Sequence, residues 1–107
     1  MAKIIWDEKA ELELDKHVEN AYQEFGAKTA KRWLSEKDAI EWRLERYPTS
    51  YPPEELLSGR EILYRRCSMM GRRFKLVFYY DEGEDIVHVV DIWDTKRNPQ
   101  TLIKRIK

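Results

Sequence analysis

The sequence predicts an α+β domain of order β-α-α-β-β-β, a helical hairpin packed on an antiparallel sheet, and three observations carry that prediction. The apolar period is 3.6 in the first half of the chain and 2 in the second. A segment holding Pro48, Pro52, Pro53 and Gly59 separates the halves, and three β-rich runs follow it with short turns between them. At 107 residues the chain suits one core over residues 1–107, with no second independent domain.

Each element follows in order. Ile4-Ile5-Trp6 is short, bulky and partly β-branched, which suits a brief strand. Asp7 offers an N-cap to a helix whose apolar face is Ala10, Leu14, Val18, Ala21, Tyr22 and Phe25, stopped by Gly26. A second helix starts near Lys28, carries Ala30, Trp33, Leu34, Ile40, Leu44 and Tyr47, and ends at Pro48. The short join makes the two helices an antiparallel hairpin. Residues 48–59 form a loop. Arg60 to Ser68 then alternates, with Ile62 and Tyr64 on one face and Leu63, Arg65 and Cys67 on the other, and Met69 to Arg72 turns the chain. Arg73 to Asp81 is an aromatic strand with Phe74, Leu76, Phe78 and Tyr80 toward the core and Lys75, Val77 and Tyr79 on the far face. Glu82-Gly83-Glu84 leads into a strand from Asp85 to Trp93. The face residues Phe74, Leu76, Phe78 and Ile92 are expected to pack on Val18, Tyr22, Trp33 and Leu34.

Composition narrows the function classes. Apolar residues at 42% and aromatics at 12% exclude a disordered chain, which could not bury enough surface to offset its entropy. No apolar run is long enough to span a bilayer, and Met1 to Asp7 is too short and too soon acidic for a signal peptide, so a cytoplasmic protein with no membrane partner is expected. The single cysteine, Cys67, permits no internal disulfide and is read as a small apolar filler. No Cys/His spacing suggests a metal site, and no cofactor is expected. His17 is read as a boundary residue of the first helix and His88 as a strand residue.

Net charge is zero, yet it is polarised along the chain. Residues 1–57 hold nine basic side chains against thirteen acidic, and residues 58–107 hold eleven against seven. Arg60, Arg65, Arg66, Arg72, Arg73 and Lys75 face one acid, Glu61, and the tail adds Lys96, Arg97, Lys104, Arg105 and Lys107 with none. Such clusters attract phosphate or an acidic protein surface. Neighbouring strands of a meander would bring Arg65 and Lys75 within reach of each other, with Tyr64 or Tyr79 available for stacking.

The order of elements, the strand Phe74-Lys75-Leu76-Val77-Phe78-Tyr79-Tyr80-Asp81 and the run Val90-Asp91-Ile92-Trp93-Asp94-Thr95-Lys96-Arg97-Asn98-Pro99 together resemble the RelE/ParE superfamily of type II toxin–antitoxin toxins. The resemblance implies a growth-inhibiting toxin held inactive by a cognate antitoxin. RelE-like members cut mRNA in the ribosomal A site, whereas ParE-like members inhibit DNA gyrase without cutting RNA. Carried over by position, the family's strand Arg falls on Lys75, the Tyr three residues on falls on Phe78, and the basic pair before the final Pro falls on Lys96 and Arg97. Many ParE-like members have His where this chain has Asp94, and the tail lacks the C-terminal Tyr of the nucleases. On this basis the favoured expectation is a metal-independent, ribosome-dependent mRNA endonuclease, with non-enzymatic gyrase inhibition or a degenerate, inactive member as the alternatives. The expected catalytic residues are Lys75, Arg97 and Arg65, and the expected substrate contacts are Arg73, Lys96, Tyr64 and Tyr79. A ribonuclease without metal must supply positive charge to a transition state more anionic than its substrate, which a preorganised Arg/Lys cluster does.

Overall fold

The computed structural model describes residues 1–106, so Lys107 of the basic tail lies outside the described residues. The order is β1 (Lys3–Trp6), α1 (Glu8–Phe25), α2 (Ala27–Arg46), a single 3-10 turn (Glu55–Leu57), β2 (Tyr64–Met69), β3 (Phe74–Asp81), β4 (Ile86–Asp94) and α3 (Pro99–Arg105). The fold is the expected α+β arrangement. The sheet order is β1-β4-β3-β2, antiparallel through β2, β3 and β4, while β1 lies parallel to β4 and makes the sheet mixed. The α1–α2 hairpin between β1 and the meander is the crossover that parallel pairing requires.

Gly26 alone joins α1 to α2, at φ 94° and ψ −177°, a conformation open to glycine and strained for other residues. The hairpin covers one sheet face with Ala10, Leu14, Ala21, Trp33, Ile40 and Leu44, which meet Cys67, Leu76, Phe78, Val87, Val89 and Ile92. Val18 and Phe74 join this core as expected, but Tyr22, Phe25 and Leu34 do not: they are exposed. Near Gly26 the hairpin stands off the sheet and Phe25 lines the resulting gap, while Tyr22, about 100° around α1 from the buried Ala21, points away from the core. Leu34 sits about 100° around α2 from Trp33 and so points away from it.

The far face of the sheet is also covered, because the tail is a helix. Asn98 caps α3 through Oδ1, which accepts from Gln100 N at 3.0 Å, and Pro99 stands in the first turn where its missing N–H costs nothing. Leu102 and Ile106 pack with Leu57, Tyr64, Val77 and Trp93 in a second core. Arg60 fastens α3 by donating to Ile103 O at 2.8 Å and to Ile106 O. That anchor holds residues 60–63 out of the sheet, so β2 begins at Tyr64 rather than Arg60, and Ile62 and Leu63 are exposed. Met69, expected in the turn, is instead the buried end of β2; the turn is Met70-Gly71-Arg72, each at positive φ.

A β-bulge breaks strict alternation in β4. Val77 pairs with Asp91 and Phe78 with Val89, leaving Val90 as the extra residue. Without it Asp91 would share the hairpin-facing side with Val87 and Val89; the bulge turns Asp91 to the far face and Ile92 into the main core.

Candidate functional site

A cleft of about 640 Å³ opens between the tip of the hairpin and the end of the sheet where β4 leaves for α3. The same stand-off that exposes Phe25 creates it. Its floor is an aromatic cluster: His17 lies parallel to Trp33 with ring centroids 5.3 Å apart, and Phe74 tilts against both at 4.6 and 4.8 Å. Burial holds His17 below its ordinary pKa, opposed by Glu13, whose Oε2 lies 3.5 Å from His17 Nε2. The wall from the sheet carries Arg73, which grips Asp94 through two bonds of 3.1 and 3.3 Å and pulls that carboxyl below its usual range. Arg97 follows on the rim, its guanidinium 5.0 Å above the Trp93 ring.

Of the residues singled out from sequence, Arg73 and Arg97 come together at this cleft and the others lie elsewhere. Lys75 projects to the far face. Its Nζ approaches Oε2 of the buried Glu54 at 2.6 Å as an ion pair outside the angle of an aligned hydrogen bond. Glu54 reaches that place because the loop at 52–54 pairs with the outer edge of β2: Glu54 N donates to Tyr64 O at 2.8 Å and Arg66 N donates to Pro52 O at 3.1 Å. Arg65 pairs across β2 and β3 with Phe78, on the hairpin side, and its Nη1 donates to Tyr51 O at 2.7 Å. Lys96 is exposed in the turn after β4, where its backbone N donates to Asp94 Oδ1 at 2.9 Å. The meander does not bring Arg65 and Lys75 together: Arg65 pairs with Phe78 and Lys75 with Ser68, three register positions apart along the β2–β3 ladder, and the odd separation puts them on opposite faces.

Tyr64 and Tyr79 pair directly across β2 and β3 on the far face, edge to face at 5.7 Å, and Tyr79 stacks on His88 at 4.7 Å. Burial raises the Tyr79 phenol above its ordinary pKa. Tyr64 is itself buried in the second core, so its ring faces are occupied. Cys67 is buried and burial pushes its thiol up to about 12, leaving it unreactive at neutral pH.

Two residues outside the expected set organise this end of the molecule. Asp91, fully buried, receives Arg105 in a bidentate pair of 3.0 and 2.8 Å, and Arg105 also lies 3.4 Å from Glu13 of α1. Burial holds the Asp91 carboxyl above its ordinary range although Arg105 pulls it down. This network ties α3, β4 and α1 together below the cleft. His17, Lys16 and Asn20 were overlooked as cleft residues; their signal in the sequence is a polar stripe at spacings of three and four beside the apolar face of α1.

Comparison with known proteins places this geometry in a family. The family model described as the ParE toxin of the type II toxin-antitoxin system parDE matches residues 4–99. No curated protein sequence matches the chain. Among solved structures, the chromosomal ParDE toxin–antitoxin system of P. aeruginosa matches with a TM-score of 0.67 at 15% identity, covering 88% of this chain and 96% of that one. The intact E. coli RelBE toxin–antitoxin complex matches with a TM-score of 0.58 at 15% identity over 91% of this chain and 100% of that one. The isolated E. coli RelE toxin matches with a TM-score of 0.56 at 16% identity over the whole of both chains. The structural likenesses support a RelE-like fold, and the family model spans nearly all of it: the chain belongs to the ParE toxin family of type II toxin–antitoxin systems, within the RelE/ParE superfamily.

Proposed function

We propose that this toxin arrests growth by binding DNA gyrase rather than by cutting RNA, and that a cognate antitoxin holds it inactive. The observation that carries the reading is the dispersal of Lys75, Arg65 and Arg97. Lys75 is neutralised by the buried Glu54 on one face, Arg65 holds a backbone carbonyl on the other, and Arg97 lies at the rim of the cleft. Metal-independent cleavage of RNA needs cations converging on one phosphate, and these three do not converge. The position expected to hold a tyrosine is Phe78, which has no hydroxyl and is buried in the main core. The match to the ParE family model points the same way.

The antitoxin part of the reading follows from the solved ParDE and RelBE systems that share this fold, and from charge. An acidic segment that folds on contact suits the basic second half of the chain, and its association should slow with added salt. The deciding experiment is induction of the toxin alone. Intact mRNA with gyrase-dependent DNA breaks, and loss of gyrase supercoiling by the purified protein, are the expected results. Ribosome-dependent mRNA cuts that disappear with Arg97→Ala would overturn the reading and restore the endonuclease.

A further inference from the structure

The outer face of the helical hairpin is complementary to itself. Leu12 lies two residues from both Ala10 and Leu14, and Trp42 two residues from both Ile40 and Leu44, so each is turned about 200° from the side chains that meet the sheet. These two large apolar side chains have 62% and 56% of their surfaces exposed. Glu8, Leu12, Asp15, Glu19 and Tyr22 follow one another at alternating spacings of four and three and line one exposed stripe of α1. Lys28, Lys31, Ser35, Asp38, Trp42 and Arg46 line the corresponding exposed stripe of α2. The first stripe holds three acids and no base, the second three bases and one acid. The face is thus divided lengthwise into an acidic and a basic half, each with a bulky apolar side chain in it. Arg46 steadies the Trp42 ring: its guanidinium lies 4.1 Å over the ring and its Nη1 donates to Trp42 O at 2.9 Å.

We propose that this face pairs with the same face of a second copy of the chain, giving a two-fold symmetric dimer with a four-helix interface. A two-fold contact is isologous, so whatever α1 meets on the other copy, the α1 of that copy meets here. Two placements of the axis satisfy this. An axis across the helices lays α1 on α1 and α2 on α2, bringing like charges together; an axis parallel to the helices lays α1 on α2 in both directions, bringing the acidic stripe to the basic one. The division of charge selects the parallel axis. Rotation about it preserves height along the helices, so residues at the same distance from Gly26 meet. Leu12 and Trp42 stand 14 and 16 residues from Gly26, Glu8 and Arg46 18 and 20, and Glu19 and Lys31 7 and 5. Each pair is offset by two residues, about 3 Å of rise, which side chains span. One like-charged pair falls in this register, Asp15 and Asp38, 11 and 12 residues from Gly26. The helix lengths and diameters make the face about 30 Å by 20 Å, or about 600 Å² a side, below the roughly 800 Å² a side of a standard interface. The dimer is therefore weak and governed by concentration. The face lies apart from Lys75, Arg65 and Arg97, so the pairing stands or falls separately from the gyrase reading.

Sedimentation velocity of the purified full chain over a concentration series tests it. The expected result is a reversible shift from 13.0 kDa at low concentration to twice that mass at high concentration, weakened by added salt. Asp38→Lys should tighten the dimer about tenfold, since symmetry replaces two contacts between aspartates with two ion pairs. Leu12→Asp and Trp42→Ser should each abolish the dimer over the same series. Glu19→Lys and Lys31→Glu should each weaken it, and the two in one chain should restore it. Ile62→Ser, at an exposed apolar side chain off the hairpin, should change nothing. The substituted hairpin side chains are all exposed, so the variants fold, and their melts verify that. A chain monomeric at every concentration, a dimer that persists in both Leu12→Asp and Trp42→Ser, or one that Asp38→Lys does not tighten and the exchange of Glu19 and Lys31 does not restore would overturn the proposal. Co-expression with the cognate antitoxin supplies the last arm. A free chain that stays monomeric while Leu12→Asp and Trp42→Ser break the antitoxin complex assigns the face to the antitoxin and overturns self-pairing.

Discussion

Arg105→Met should destabilise the fold by about 3 to 5 kcal/mol, because it strands Asp91 as a buried charge without its cation. The magnitude follows from the geometry. Asp91 has no exposed surface, and Arg105 supplies both guanidinium bonds to it, at 3.0 and 2.8 Å; among the described residues the only other donor to its carboxylate is Ile92 N at 2.9 Å. In a chain of this length each kcal/mol moves the melting temperature by about 4 to 8 °C, so the melt should fall by about 12 °C or more. The acid response gives a second signature. With its cation gone, the folded Asp91 carboxyl titrates further above the ordinary value of 3.8. A carboxyl whose pKa is raised on folding destabilises the fold above that raised value, and the penalty disappears as pH falls through it. The gap between wild type and Arg105→Met should therefore be widest at neutral pH and narrow toward about pH 4. Adding Asp91→Val to Arg105→Met should recover most of the loss, since removing both members of a buried pair is far less costly than removing one. Thermal denaturation followed by circular dichroism at the two pH values measures all of this. A single variant that melts like wild type, or a double variant no better than the single, would refute the account of Arg105 as the partner that makes Asp91 tolerable.

Other outcomes follow from the same structure. Phe78→Ala should cost about 3 to 5 kcal/mol in urea denaturation, because Phe78 is wholly buried and edge-on to Tyr51 with ring centroids 6.1 Å apart, and its loss leaves a cavity. Gly26→Ala should cost about 1 to 3 kcal/mol although a Cβ there meets no atom within 4 Å, because the strain lies in the backbone conformation; a cost near zero would show that the hairpin joint adjusts freely. His17 is held below 6.5 by burial, with Glu13 and Asp94 raising it and Lys16 and Arg105 lowering it. A group depressed on folding contributes stability above its unfolded pKa that is lost as pH falls, so stability should decline as pH drops below about 6.5, and His17→Gln should flatten that part of the melting profile.

Six elements, β1 to β4 with α1 and α2, are legible in the chain in their correct order, because the period of the apolar residues states which face of each helix and strand is to be buried. Ala10, Leu14, Ala21, Trp33, Ile40 and Leu44 on the hairpin, and Leu76 and Phe78 on β3, were legible for that reason. So was membership of the superfamily, carried by strand β3 and the run up to Pro99. The start of α3 was also written in the chain, as Asn98 before Pro99, but a basic tail with few apolar residues hid it.

The placement of the charges, by contrast, is set by tertiary packing. Period 2 predicts a face, yet one extra residue at Val90 moved Asp91 to the other side of the sheet, and a bulge leaves no mark in composition. That Lys75 is neutralised could not be read either: Glu54 lies 21 positions away in a loop, and it meets Lys75 only because the loop pairs with the edge of β2. Likewise the cleft exists because α1 and α2 stand off the sheet near Gly26, a matter of how far two rigid elements overlap. Periodicity is a local property of the chain, whereas the pairing of distant charges and the gaps between packed layers depend on the relative placement of whole elements, which no local pattern encodes.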